Sequence, residues 1–161
     1  MPQTSPGSFA PALEHLSSRS GLYQGHGKNL EGHAFTAQME LTPKVSGALV
    51  ELSFRATDNG DSGFHDELTW ITPDLKTDGL CLWTVSTNTP GVLCHPLAED
   101  LSDDFRERRF VFRLGDVKAR STFRQEIVLD LMRDGTIEYL YSWGVPHEEF
   151  AVRVQAKLQK I

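Results

Sequence analysis

The chain has 161 residues and a mass of 18.0 kDa, with 39% hydrophobic and 24% charged residues. This suits one domain spanning residues 1–161 and excludes both a disordered polypeptide and a bundle of membrane helices. The formal net charge of −6, and a densest basic stretch (Arg106, Arg108, Arg109, Arg113) interrupted by Asp103, Asp104 and Glu107, argue against a nucleic-acid partner. Residues 1–7 carry neither the basic segment nor the apolar run of a secretory signal, and no run approaches membrane-spanning length. A cytoplasmic protein with no membrane contact is therefore expected. Cys81 and Cys94 fall on neighbouring predicted strands, close enough for a disulfide, but two reduced, half-buried thiols are the expectation.

Residues 1–7, rich in Pro, Ser and Gly, are expected to be disordered. Ser8 then caps a short helix over 8–16, in which Phe9, Ala12, Leu13 and Leu16 share a face and Pro11 lies harmlessly in the first turn. Next comes Gly21-Leu22-Tyr23-Gln24-Gly25-His26-Gly27, whose alternation puts Gly21, Tyr23, Gly25 and Gly27 on one face. If that face points inward, the missing side chains leave room for a ligand. From His33 onward a two-residue period takes over. Phe35, Ala37, Met39 and Leu41 share a parity, as do Ala48, Val50, Leu52, Phe54 and Ala56, with a turn at 43–47 between them.

The stretch 58–63 is dense in turn residues and precedes a strand over 64–72. Its Gly60-Asp61-Ser62-Gly63 matches the surroundings of a chymotrypsin-like nucleophile, but Phe64 replaces the usual next glycine and the chain is too short for a double barrel, so a turn is the better account. A calcium loop is disfavoured as well, because Gly60 falls where an oxygen ligand is needed. Strands follow at 80–86 and 92–97, where Pro96 implies an edge or a strand end, and at 105–114. Residues 122–132 and 136–143 form a hairpin around Asp134-Gly135, and 150–158 makes the last strand, with Phe150, Val152, Val154, Ala156 and Leu158 in phase. About ten strands with short connections and no bridging helix define an all-β fold. The form expected is one antiparallel up-and-down barrel, with the N-terminal helix either capping one end or packed on the outer wall.

The short helix, the opening Gly-x-aromatic of Gly21-Leu22-Tyr23, the Gly25-x-Gly27 that follows and the wholly antiparallel remainder resemble the calycin superfamily. Lipocalin-like, nitrobindin-like and fatty-acid-binding-protein-like barrels are the relevant branches, and Tyr23 stands where lipocalins carry Trp. The resemblance implies a ligand held inside the barrel. In its nitrobindin-like branch it implies heme held through a histidine near the last strands, for which His147, in a predicted turn, is the candidate.

Two faces of the 64–72 strand compete. Apolar-in patterning would bury Phe64, Leu68 and Trp70 and leave His65 and Glu67 in water. The opposite parity would line a cavity with His65 and Glu67, with Trp83, His95 and His33 as neighbours, a set able to hold a polar head group or exchange a proton. The histidines are too scattered for a metal site. Tyr139 and Tyr141, in phase with Trp143, are core rings that would also line ligand space in a barrel. The ligand-binding candidates are therefore Tyr23, Gly25, Gly27, His65, Glu67, Trp83, His95, Tyr139 and Tyr141, with no catalytic residue assigned. The function expected is non-enzymatic binding of a small, largely hydrophobic molecule, with a homodimer compatible. The alternatives are a heme or other cofactor carrier and a small enzyme using the His65–Glu67 region.

Overall fold

Period-two alternation becomes ten antiparallel strands in the computed structural model of the chain, which describes residues 9–58 and 63–161. These are β1 (Gly21–Asn29), β2 (Ala34–Lys44), β3 (Leu49–Thr57), β4 (Gly63–Asp74), β5 (Gly79–Ser86), β6 (Thr89–Leu101), β7 (Arg106–Leu114), β8 (Arg124–Met132), β9 (Ile137–Gly144) and β10 (Ala151–Lys160). Each pairs with its neighbour in sequence, and β1 pairs with β10, so the sheet closes into an up-and-down barrel without edges. The 1–8 segment with its Ser8 cap, and the core of the Gly60-Asp61-Ser62-Gly63 stretch, lie outside the described residues.

The helix α1 (Ala10–Ser18) begins after Phe9 and carries a proline in its first turn. Ala12, Leu13 and Leu16 are buried in the cluster that includes Tyr23, Leu41, Val50, Leu131 and Ile137. The helix touches β2 and β3 on one side. On the other, Arg19 just beyond it binds Glu107 and donates to the Met132 carbonyl at 2.8 Å. It therefore spans one barrel end as a cap. Apolar side chains from all round the wall fill the half of the lumen beneath it.

Three local features depart from the alternation. The glycine face of β1 does point inward, but it leaves no room inside. A Cβ at Gly25 would lie 2.9 Å from the Leu158 Cα and closer still to the Lys157 carbonyl oxygen, and one at Gly27 would collide with the Phe35 ring and the Gln155 carbonyl. The glycines let the β10 backbone and the Phe35 ring approach β1. The space over this seam is a surface groove of about 410 Å3 bordered by His26, Lys28, Glu138 and Lys157. In β10 the register shifts between Val152 and Val154, so Val152 turns outward and Arg153 stacks on Trp143, 4.2 Å from the ring centroid. Pro96 sits inside β6, beside a second register shift at Leu97/Glu99 that relaxes the pairing there.

Cys81 and Cys94 form a disulfide, not two free thiols, with Cα atoms 6.5 Å apart. The register explains it: Cys81 opposes Pro96 and Trp83 opposes Cys94, so the cysteines are diagonal neighbours on the outer face.

Gly25→Ala should destabilise the barrel by about 2–4 kcal/mol, because the added methyl meets backbone that cannot rotate away. Gly79→Ala, where the nearest atom is the Thr77 hydroxyl at 3.7 Å, should change stability by less than about 1 kcal/mol. Urea midpoints of the two variants would check the contrast.

Candidate functional site

The chain direction fixes which residues occupy the barrel end opposite α1. The arc of that far rim from β5 to β9 is built by the end of β5, the start of β6, the end of β7, the start of β8 and the end of β9. In β4 the buried residues are His65, Glu67, Thr69 and Ile71, while Phe64 and Trp70 lie on the exposed outer face. The inward parity is thus the polar one, and the apolar-in default fails. Trp70 keeps its indole N–H satisfied by donating to Glu51 at 2.9 Å, and Phe64 packs edge-on against Phe35 at 5.3 Å, which makes the outward face tolerable.

Glu67 is the hub. Its Oε2 accepts from the Tyr139 hydroxyl at 2.7 Å and from His65 Nε2 at 3.2 Å, and its Oε1 accepts from the Thr69 hydroxyl at 2.8 Å. Thr84 continues the chain with a hydroxyl contact to Thr69 at 2.9 Å. The other ring nitrogen of His65, Nδ1, accepts from Asn88 Nδ2 at 2.8 Å, so the proton that the imidazole donates to Glu67 sits on Nε2. Three donors converge on one buried carboxylate, the arrangement that makes an ionised group tolerable away from water.

A second chain runs beside the first. His95 Nε2 donates to Gln125 Oε1 at 2.6 Å, Gln125 Nε2 donates to the Tyr141 hydroxyl, and Tyr141 contacts the Thr89 hydroxyl at 3.4 Å. The Tyr141 and His65 rings lie 5.3 Å apart, bringing the two chains side by side. His95 Nδ1 and Ser86 Oγ are buried without a well-formed hydrogen bond. Burial pushes the His95 pKa below its ordinary value, against the opposing pull of the Gln125 contact and the Glu67 charge. Burial raises Tyr139 well above the usual phenol range, reinforced by the Glu67 charge, and raises Tyr141 as well, so both phenols stay protonated.

Both chains surface at one place. Asn88 and Thr89 line a pocket of about 330 Å3 at the far rim, whose remaining walls are Pro90, Leu93, Phe123, Trp143 and Val145. This is the low end of the volume range of small-molecule sites, with apolar walls and two polar groups. Arg124 closes the rim behind it: its guanidinium is buried and donates to the Val145 carbonyl at 2.7 Å and to the Glu148 and Thr122 carbonyls.

Of the residues singled out from the sequence, His65, Glu67, Tyr139, Tyr141 and His95 come together in this region. Trp83 does not, because the inward parity of β5 belongs to Leu80, Leu82 and Thr84, and Trp83 stands on the outer wall opposite Trp70. Tyr23 is buried at the α1 end, donating to the Arg19 carbonyl at 2.7 Å, and Gly25 and Gly27 belong to the seam. His33 is exposed. His147 is also exposed, in a turn where its N–H and carbonyl bond to Arg120, and it forms no part of the rim pocket. Asn88, Thr89, Thr69, Thr84 and Gln125 were not anticipated. Thr69, Thr84 and Gln125 carry a readable sign, a polar residue in phase with a buried parity. Asn88 and Thr89 read only as a turn.

The closed antiparallel barrel with a capping helix fits a calycin-like fold. Among solved structures it is similar to the crystal structure of Rv2717c from M. tuberculosis, with a TM-score of 0.63 and 14% identity over 96% of this chain and 99% of that one. No protein-family model matches the chain, and no curated protein matches it in sequence. No helix among the described residues is long and apolar enough to cross a membrane.

Tyr139→Phe removes one of three donors from a buried carboxylate and should destabilise the protein by about 1.5–3 kcal/mol, read from denaturant unfolding. The lowered His95 pKa has a pH signature. Below about 6.5 the unfolded chain takes up a proton that folded His95 resists, so stability should fall as pH drops through that value, and His95→Gln should flatten the fall.

Proposed function

We propose that the protein binds a small, largely apolar molecule at the far rim of the barrel, without catalysis, the apolar body against Leu93, Phe123 and Trp143 and a polar head against Asn88 and Thr89. The observation that carries this reading is that a pocket with apolar walls sits where two buried hydrogen-bonded chains reach the surface, His65 through Asn88 and Tyr141 through Thr89. The deeper lumen offers less, since Phe54, Phe110, Phe112, Tyr139 and Tyr141 are fully buried within it.

An enzyme built on His65 and Glu67 draws less support, because both carboxylate oxygens and both ring nitrogens are already engaged with protein partners. The nitrobindin-like heme reading also draws less support from the histidines considered for it. His147 faces solvent, and both ring nitrogens of His65 are occupied. Thiol blocking before purification would show whether the Cys81–Cys94 disulfide is formed in the cell.

The neutral probe N-phenyl-1-naphthylamine should gain fluorescence with the wild-type protein. Leu93→Glu, which places a charge in the pocket wall, should weaken its binding at least tenfold (about 1.4 kcal/mol) with an unchanged circular dichroism spectrum. Equal affinity in the folded variant would refute the rim site.

A further inference from the structure

We infer that the head group accepted at the rim is neutral and donates a hydrogen bond, as a primary amide or an alcohol does and a carboxylate does not. This rests on the rim site proposed above and adds the chemistry it selects.

The direction of each hydrogen bond in the two chains carries the argument. An ionised carboxylate only accepts, so His65 Nε2 must donate to Glu67, and His65 Nδ1 is left as an acceptor. Asn88 therefore turns its Nδ2 inward to donate to that nitrogen. Its carbonyl Oδ1, with no partner among the described residues, is the acceptor left at the pocket wall. In the other chain Gln125 Nε2 donates to the Tyr141 oxygen, and in the contact between Tyr141 and Thr89 either hydroxyl can be the donor, so Thr89 brings to the pocket a hydroxyl able to accept or to donate. Adjacent residues thus offer a carbonyl oxygen that only accepts and a hydroxyl that can accept or donate. A primary amide or a hydroxyl complements both, whereas a carboxylate offers acceptors alone and would face the Asn88 oxygen.

Charge points the same way. An ionised group behind the pocket is Glu67, an anion held by Tyr139, Thr69 and His65. The guanidiniums packed on the pocket walls are already committed. Arg124 gives its two terminal nitrogens to three backbone carbonyls, its Nε being buried without a hydrogen bond among the described residues, and Arg153, stacked on Trp143, binds the Trp143 and Glu149 carbonyls and pairs with Glu148. A carboxylate head would lose its hydration at the rim with no cation among the residues that line the pocket.

The test titrates octanamide, 1-octanol and octanoate into the full chain at pH 7, following amide NMR shifts of rim residues and measuring affinities by calorimetry. Octanamide and 1-octanol should bind with shifts centred on Asn88, Thr89, Leu93 and Trp143, and octanoate should bind at least tenfold more weakly than octanamide. Asn88→Leu, a change at an exposed position, should bring the octanamide and octanoate affinities to within about threefold of each other. Octanoate binding as tightly as octanamide would overturn the head-group assignment and leave the rim site standing. A preference unchanged in Asn88→Leu would overturn the role given to Asn88. Failure of all three compounds to shift any rim residue would overturn the rim site itself.

Discussion

One hydrogen bond crosses the barrel from wall to wall. β4 and β9 stand five places apart in either direction round the ten-strand ring, and the Tyr139 hydroxyl on β9 reaches the Glu67 carboxylate on β4. A closed sheet fixes each strand only to its neighbours, so contacts through the lumen must hold opposite walls at one separation. Here a charge-assisted bond does this, with Phe54 stacked on Tyr139 at 4.4 Å beside it. The nearest members of the polar half sit against that link: His65 and Thr69 flank the carboxylate, and Tyr141 lies one inward step along β9 from Tyr139.

The lumen divides into two regimes. Toward α1 the wall and cap contribute mostly apolar side chains, and the hydrophobic effect supplies most of the cohesion there, with the Tyr23 hydroxyl on the Arg19 carbonyl and Arg19 on Glu107 and the Met132 carbonyl pinning the cap. Toward the far rim the same inward parities carry His65, Glu67, Thr69, Thr84, His95 and Gln125, all buried. Burying that much polarity is tolerable only where partners are present, and it makes the region sensitive to small displacements, since an unmade hydrogen bond there is not replaced by water. Such a region holds a geometry narrowly. That property suits recognition at its outlet more than it suits stability.

Much of the fold was legible because a meander writes itself locally. The alternating runs around Phe35 and Val50, the Asp134-Gly135 turn and the lack of any bridging helix are short-range signals, and each became a strand, a hairpin or an antiparallel pairing. The site was less legible, because its residues obey a parity that hydrophobicity mispredicts. In β4 the larger apolar side chains, Phe64 and Trp70, lie outside, and only the neighbouring strands decide this: Phe54 opposes Glu67 across β3, and Thr84 opposes Thr69 across β5. Trp83 was misplaced for the same reason, since a large ring suggests a cavity wall until the register with Trp70 sets both outside. The shift at Arg153 was invisible, because a bulge changes phase without leaving a hydrophobic mark, and Val152 looked in step with Val154. The glycines of β1 were correctly read as inward, but whether a glycine makes space or lets a neighbour fill it depends on the opposing strand.

The closure of β1 on β10 has a kinetic consequence. Nine of the ten strand pairings join consecutive strands, whereas the tenth brings Gly25 to Leu158 across nearly the whole chain. Forming local hairpins first and the seam last is the order that loop-closure entropy favours. Until the seam closes, β1 and β10 each present a row of unpaired backbone groups able to recruit a strand from another molecule. The glycine seam then acts as a latch with a deadline, and anything that slows it lengthens the interval in which the chain has sticky edges. Conditions that disturb the β1–β10 seam should therefore show first as aggregation during refolding, before any loss appears in the equilibrium stability of the closed barrel.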